Sequence, residues 1–308
     1  MNYGLPYMGS KNRIIKKLSK YFPKNIDNFY DLFAGGCAVS DYFLREKTYK
    51  KYTINDINPT PITLYKNALG GGYTNETRWI SRDDFNKLKD IDPYVKYVWS
   101  FGNKGTNYLY SKGIEPYKKA CHCAIVFDNW TLLKELCPEI WECAYEEIKN
   151  IKDTKQRRLK FGRKIVKRLK EIGNWELIQN NPLYKSCHWR HNGLANKNTD
   201  LESLQSLERL ERLQSLERLE EQQNITFTTK NYCEIKIKNN SLVYCDIPYK
   251  DMAGYNIQFD YEKFYNWCSM QKELVIISEY SMPNDKFICI AEESLNNSLS
   301  TNGSTKGG

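Results

Sequence analysis

Three short stretches carry residues able to act on a planar ligand that bears an amino group. Asp246-Ile247-Pro248-Tyr249 directly follows an apolar run ending at Cys245. A carboxylate and a proline-flanked backbone carbonyl can together accept both hydrogens of an exocyclic amine, while an aromatic ring stacks on the base. The second stretch, Asp31-Leu32-Phe33-Ala34-Gly35-Gly36-Cys37, closes a β-rich run with an acid and opens a helix with two glycines. Glycines let a backbone approach a ligand closely, and the carboxylate can hold an ammonium or hydroxyl group. The GxGxxG spacing of a dinucleotide site is absent, and a bare tight turn is the competing explanation. The third stretch, Asn55-Asp56-Ile57-Asn58, places Asp56 about 20 residues beyond Gly36, where α/β nucleotide sites put an acid for ribose hydroxyls. Capping of the next helix is the alternative role for Asp56 or Asn58.

These stretches need a scaffold that brings them to one edge, and the surrounding pattern predicts it. Residues 28–33 and 51–56 read as strands, 37–44 as a helix, and a further helix begins near Pro59, where an early proline supplies its fixed φ. That alternation is the habit of a sheet built from βαβ units. Gly70, Gly71 and Gly72 break it and mark a boundary. Residues 73–187 are basic and aromatic and read as a separate, mostly helical module. Its most regular piece, 156–172, repeats Phe161, Ile165, Leu169 and Ile172 at helical spacing, with Arg157, Arg158, Arg163, Lys164 and Lys167 among the cations around them. A solvated surface helix explains that pattern as well as phosphate contact does. Trp99, Tyr108, Tyr110, Tyr117, Trp130 and Trp189 are expected in the core more than against bases.

Residues 201–219 repeat leucine at every third position. Each step of three turns an α-helix by about 300°, so the leucines wind around it, which predicts a connecting arm and a poor coiled coil. Strand signals return at 241–245 and 273–278. The expected architecture is therefore a Rossmann-like α/β domain split into residues 1–72 and 225–308, around a helical insertion (73–200) and a leucine-repeat arm (201–224).

The 46 Lys and Arg residues against 37 Asp and Glu leave a formal net charge of +9, which favours a polyanionic partner, nucleic acid before membrane. No apolar window approaches a membrane span and the start lacks a signal pattern, so a cytoplasmic protein is expected. The 10 cysteines include no CxxC pair. Buried free thiols are the expectation, and no metal is expected at Cys121, His122, Cys123, Cys187, His188 and His191, whose spacing is not that of a zinc site.

Order and context now give the motifs their weight. Tyr7-Met8-Gly9-Ser10-Lys11, the glycine turn from Asp31, Asp56-Ile57-Asn58, a basic insertion and Asp246-Ile247-Pro248-Tyr249 follow one another along nearly the whole chain. In this the chain resembles the D12 class of Dam-like DNA adenine-N6 methyltransferases. The resemblance implies S-adenosylmethionine as methyl donor and a flipped adenine in double-stranded DNA as acceptor. It implies cofactor contacts from Tyr7, Lys11, Asp31, Phe33, Gly35, Gly36, Asp56 and Asp246, and a catalytic edge of Asp246, Ile247, Pro248 and Tyr249. The insertion would read sequence, with Arg157, Arg158, Arg163, Lys164 and Lys167 on phosphates. A monomer is expected, with a cognate restriction endonuclease as a candidate partner, and neither a metal nor a covalent intermediate is required.

Three departures stand out. Ile247 replaces the family's proline, and Cys37 stands where many relatives have glycine. Residues 296–308, rich in Ser, Asn, Thr and Gly, replace a closing apolar hairpin, so altered last strands are expected. Methylation of cytosine N4 is the nearest rival, with Asp246 favouring adenine over it. RNA as substrate and a non-catalytic DNA-binding protein are the others.

Overall fold

The computed structural model describes residues 2–184, 204–217, 224–248, 259–279, 282–283 and 285–292. Its centre is a parallel sheet of five strands: β1 (Asn28–Asp31), β2 (Lys51–Asn55), β3 (Ile225–Thr228), β4 (Ser241–Cys245) and β5 (Leu274–Ile277). Their order is β3-β2-β1-β4-β5. In register, Asp31 lies opposite Ile54 on one side and Tyr244 on the other. The order reverses between β1 and β4, and ligands of open α/β sheets bind at the carboxyl edge of such a switch point. Asp31, Asp56 and Asp246 all fall on that edge.

All five residues of β4 are buried, as a central strand covered on both faces requires. Phe29, Leu242 and Tyr244 pack into the larger apolar cluster on one face. Tyr30, Val243 and Cys245 pack into a smaller one on the other, with Phe264 and Trp267. Among the described residues, no helix is long and apolar enough to cross a membrane.

The helices, in chain order, are α1 (Ile15–Leu18), α2 (Ala38–Arg45), α3 (Pro59–Leu69), α4 (Arg82–Leu88), α5 (Pro93–Val98), α6 (Glu115–Val126), α7 (Thr131–Leu136), α8 (Trp141–Ile148), α9 (Thr154–Ile172), α10 (Trp175–Asn180), α11 (Gln205–Gln214) and α12 (Tyr261–Ser269). α3 begins as its sequence predicts, with Asn58 accepting from the Thr60 amide and Pro59 at the first helical position. It ends at the three glycines, Gly71 taking φ 72°.

The stretch beyond those glycines does not pack apart from the sheet. α5 returns onto α3, and the buried cluster that holds Phe29 and Ile54 runs on through Trp99, Phe161 and Leu210. Ile62, Leu64, Tyr65 and Leu69 on α3 are buried under this cover. Trp99, Tyr108, Tyr110 and Trp130 are core residues, whereas Trp189 lies outside the described residues.

The described part of the leucine repeat is likewise in the core. α11 spans only Gln205–Gln214, so Leu207, Leu210 and Leu213 cover an arc of about 120°, an ordinary apolar stripe. All three are buried, with Leu204 and Leu216 at the two ends. The winding predicted for the longer repeat does not develop within so short a helix.

Asn55 ties the sheet together at its carboxyl edge. Its amide nitrogen donates to the carbonyls of Leu32 (2.9 Å) and Lys230 (3.0 Å), and its oxygen accepts from the Thr228 hydroxyl (2.8 Å) and the Lys230 amide (3.0 Å). Removing a buried amide that satisfies four groups leaves them unpaired. Asn55→Ala should therefore lower the unfolding free energy by about 3 kcal/mol in urea titration, and a loss under about 1 kcal/mol would contradict this role.

Candidate active site

The glycine turn is held from below by the second strand's tip. The Ala34 amide donates to the Asn55 carbonyl at 2.9 Å, and the Gly35 amide to Asp56 Oδ2 at 2.8 Å. Asp56 Oδ1 accepts from the Asn58 amide at 2.8 Å, and burial pushes its carboxyl up from the ordinary value. The turn then needs two left-handed residues, Gly35 at φ 46° and Cys37 at φ 56°. At position 37, a side chain is tolerated only with strain. The Cys37 thiol is buried, which pushes its pKa up.

From above, the amino-terminal segment lies on the turn. The Leu5 amide donates to the Gly36 carbonyl at 2.7 Å. Gly4, at φ 63°, sits so close that a Cβ there would stand 2.3 Å from the Gly36 carbonyl oxygen. A Cβ on Gly36 would stand 2.5 Å from the Tyr7 Cβ. The Tyr7 ring rests 5.2 Å from that of Tyr97. These close approaches explain why glycine occupies both faces of the contact.

Lys11 follows, capped by Ser10, and reaches across to β4. Its Nζ donates to Asp246 Oδ1 at 2.6 Å and Oδ2 at 2.7 Å. The pair is only 7% exposed at Lys11 and 21% at Asp246. Residues 235 positions apart in sequence thus close the site from two sides.

Asp31 is the third acid at this edge. Ser40 donates its hydroxyl to Oδ2 at 2.6 Å, while Oδ1 is buried with no partner among the described residues. Burial, with Asp246 and Asp56 nearby, holds the carboxyl up at about 7. An acceptor of this kind, beside a turn too tight for side chains, fits a cationic donor such as the ammonium of a methionine moiety. Asp56 retains lone pairs for hydroxyls.

The remaining site residues divide. Phe33 turns its ring into the smaller cluster, 5.5 Å from Tyr232 and 5.6 Å from Phe264. Ile247 is buried there too, and nothing among the described residues donates to its carbonyl. The Pro248 carbonyl accepts from the Tyr261 hydroxyl at 2.9 Å, so α12 anchors the loop after β4. Tyr249 lies outside the described residues.

Of the five cations expected on phosphates, Arg157 and Arg158 are buried and spoken for. Arg157 bonds Asp128 (2.7 Å) and the Ala124 carbonyl (2.8 Å), and Arg158 bonds Glu208 (2.8 Å) and Glu211 (2.7 Å) of α11. They tie the helices together instead of facing solvent. Arg163 and Lys167 are exposed, and the half-buried Lys164 is 3.7 Å from Glu147.

His122 is a core residue bonded to the Thr77 carbonyl at 2.9 Å, and burial lowers its pKa to about 4. Cys187, His188 and His191 lie outside the described residues. Cys37, Cys121, Cys137, Cys245 and Cys268 are buried, while Cys233 and Cys289 are exposed.

Sequence reasoning missed Asp41, whose Oδ2 accepts from the Gly4 amide at 2.9 Å and from Arg45 Nε at 2.8 Å. An acid among the buried residues of α2 was the available signal. Tyr261 and Asn55 carried no such signal.

The D12 class N6 adenine-specific DNA methyltransferase family matches residues 7–180, more than half the chain. Modification methylase StsI of Streptococcus sanguinis is 41% identical over 54 residues, which are 18% of this chain and 8% of that protein. The chain thus spans only a small part of that curated relative. With a carboxyl-edge site joining the amino-terminal lysine, the glycine turn and the β4 aspartate, and with a family match over more than half its length, this chain belongs to the D12 class of N6 adenine-specific DNA methyltransferases.

Proposed function

We propose that the protein transfers a methyl group from S-adenosylmethionine to N6 of an adenine flipped out of duplex DNA at a defined sequence. The observation that carries this reading is the Lys11–Asp246 pair at the switch point of the sheet. Asp31 would take the methionine ammonium, Asp56 the ribose hydroxyls, and Tyr7 with Gly35 and Gly36 would shape the cradle between them, Phe33 supporting it from the other face. The bound cofactor supplies an electrophilic sulfonium methyl.

The chain's own residues then act on the acceptor. An adenine amino nitrogen is a weak nucleophile, because its lone pair is delocalised into the ring, and it is out of reach inside a duplex. Two carboxylate oxygens offer about four lone-pair sites. Lys11 takes one on each oxygen and fixes the carboxylate plane, which leaves Asp246 able to accept one amino hydrogen while the Ile247 carbonyl accepts the other. Drawing both hydrogens away from the ring plane favours a pyramidal nitrogen. Tyr249 would stack on the base. The residues between β2 and β3 would dock the duplex and read its sequence, and the name of the streptococcal relative supports a modification role beside a restriction endonuclease.

Sequencing DNA from cells that express the chain tests the reading. N6-methyladenine in one fixed context is expected, and an unmodified or randomly modified genome would contradict it. The exposed cations of α9 are tested separately. Arg163→Gln with Lys167→Gln should weaken binding to all duplexes and flatten the dependence of log K on log salt by about two, while an unchanged slope would remove α9 from the interface.

A further inference from the structure

The leucine-repeat helix reaches the amino-terminal segment through Arg212. Arg212 of α11 donates from Nε to the Gly4 carbonyl at 2.7 Å and from a terminal nitrogen to the Tyr3 carbonyl. Tyr3 and Gly4 are both buried, so these carbonyls need partners inside the protein. With Asp41 accepting from the Gly4 amide, both polar groups of Gly4 are gripped by side chains. The grip continues into the site. The Tyr3 amide donates to Asn12 Oδ1 at 2.7 Å, next to Lys11, and Gly4 itself presses on the Gly36 carbonyl.

Burial opposes the charge of the Arg212 guanidinium. It pulls the pKa down to about 10 against the attraction of Asp41, although among the described residues no carboxylate lies within ion-pairing distance of Arg212. Replacing the guanidinium by an apolar side chain leaves the buried Tyr3 and Gly4 carbonyls without these donors, so Arg212 supports the fold as well as the segment it holds. One turn earlier, Arg209 donates from one terminal nitrogen to the carbonyls of Val98 and Ser100, at 2.7 Å each, instead of to the carbonyls of Tyr3 and Gly4.

We propose that Arg212 is a positioning residue for the cofactor site: it sets the amino-terminal segment on the glycine turn, and through it Tyr7 and Lys11. The inference rests on the methyltransferase reading only in naming S-adenosylmethionine as the ligand.

The test uses the full chain, with cofactor affinity measured by calorimetry beside the melting temperature. Arg212→Met should lower the melting temperature and weaken S-adenosylmethionine binding about tenfold, whereas Arg209→Met, which also strips two carbonyls of a donor, should lower the melting temperature and leave the affinity unchanged. Arg212→Lys, which keeps the charge but loses the two-pronged geometry, should bind several-fold more weakly than the unaltered chain, and it decides the matter should the methionine variant not fold. Unchanged affinity in the Arg212 variants, or an equal loss in Arg209→Met, would overturn the proposal. An unaltered chain that binds no S-adenosylmethionine would instead overturn the methyltransferase reading beneath it.

Discussion

Asp246→Ala should slow methyl transfer by a factor on the order of 10² to 10⁴, the range spanned when a positioned acceptor or electrostatic stabiliser is removed from a site. The carboxylate occupies the one place where a strand end at the switch point meets Lys11. Alanine would remove the acceptor for the amino hydrogen and leave the largely buried Lys11 without its anionic partner. The two effects separate in single-turnover experiments. Asp246→Asn keeps a hydrogen-bonding side chain and loses the charge, so it should retain more cofactor binding than alanine while transferring nearly as slowly. A transfer rate within tenfold of the unaltered chain would remove Asp246 from the catalytic edge.

Cofactor affinity should rise steeply with pH. Burial holds Asp31 up at about 7 in the free protein, with Asp246 and Asp56 adding to the shift. A cationic ligand favours the carboxylate, so binding below pH 7 must release a proton and weakens by about tenfold per pH unit. Between pH 8 and pH 5 the dissociation constant should grow by about 100-fold, and Asp31→Asn should bind weakly with no such slope. The sign for folding is opposite. The folded unliganded protein holds this proton more tightly than the unfolded chain, whose carboxyl titrates near 3.8. Asp31 therefore contributes stability below that value, and the contribution is lost as pH rises towards about 7. Calorimetric titration and melting across this window check both slopes, and a flat binding profile would contradict the role of Asp31.

Much of the sheet was legible because its strands are short apolar runs bounded by turn residues. The run at Ser241–Cys245 is the strand as read, and the other three differ only at their ends, Asn28–Asp31, Lys51–Asn55 and Leu274–Ile277. The order of acids and glycines along the chain told which strand ends must meet. Local periodicity failed where a second partner arrives from far away. α9 shows one apolar stripe, but Arg158 on its flank is claimed by Glu208 and Glu211, 50 and 53 residues on. The same pairing anchors the leucine repeat, whose spacing alone suggested a loose arm. Gly4 reads as an unremarkable residue until the Gly36 carbonyl is found against it. Residues 287–292 run without a strand assignment, and the tail that departs from the family lies outside the described residues, as does Tyr249.

Labelled methyl transfer tests the reaction itself. Purified protein, S-adenosylmethionine with a labelled methyl group and duplex DNA are incubated, and the DNA is digested to nucleosides. Label is expected in N6-methyladenine, forming at least about 100-fold more slowly with Asp246→Ala. Label in N4-methylcytosine, or no label in DNA from a protein that binds the cofactor, would contradict it.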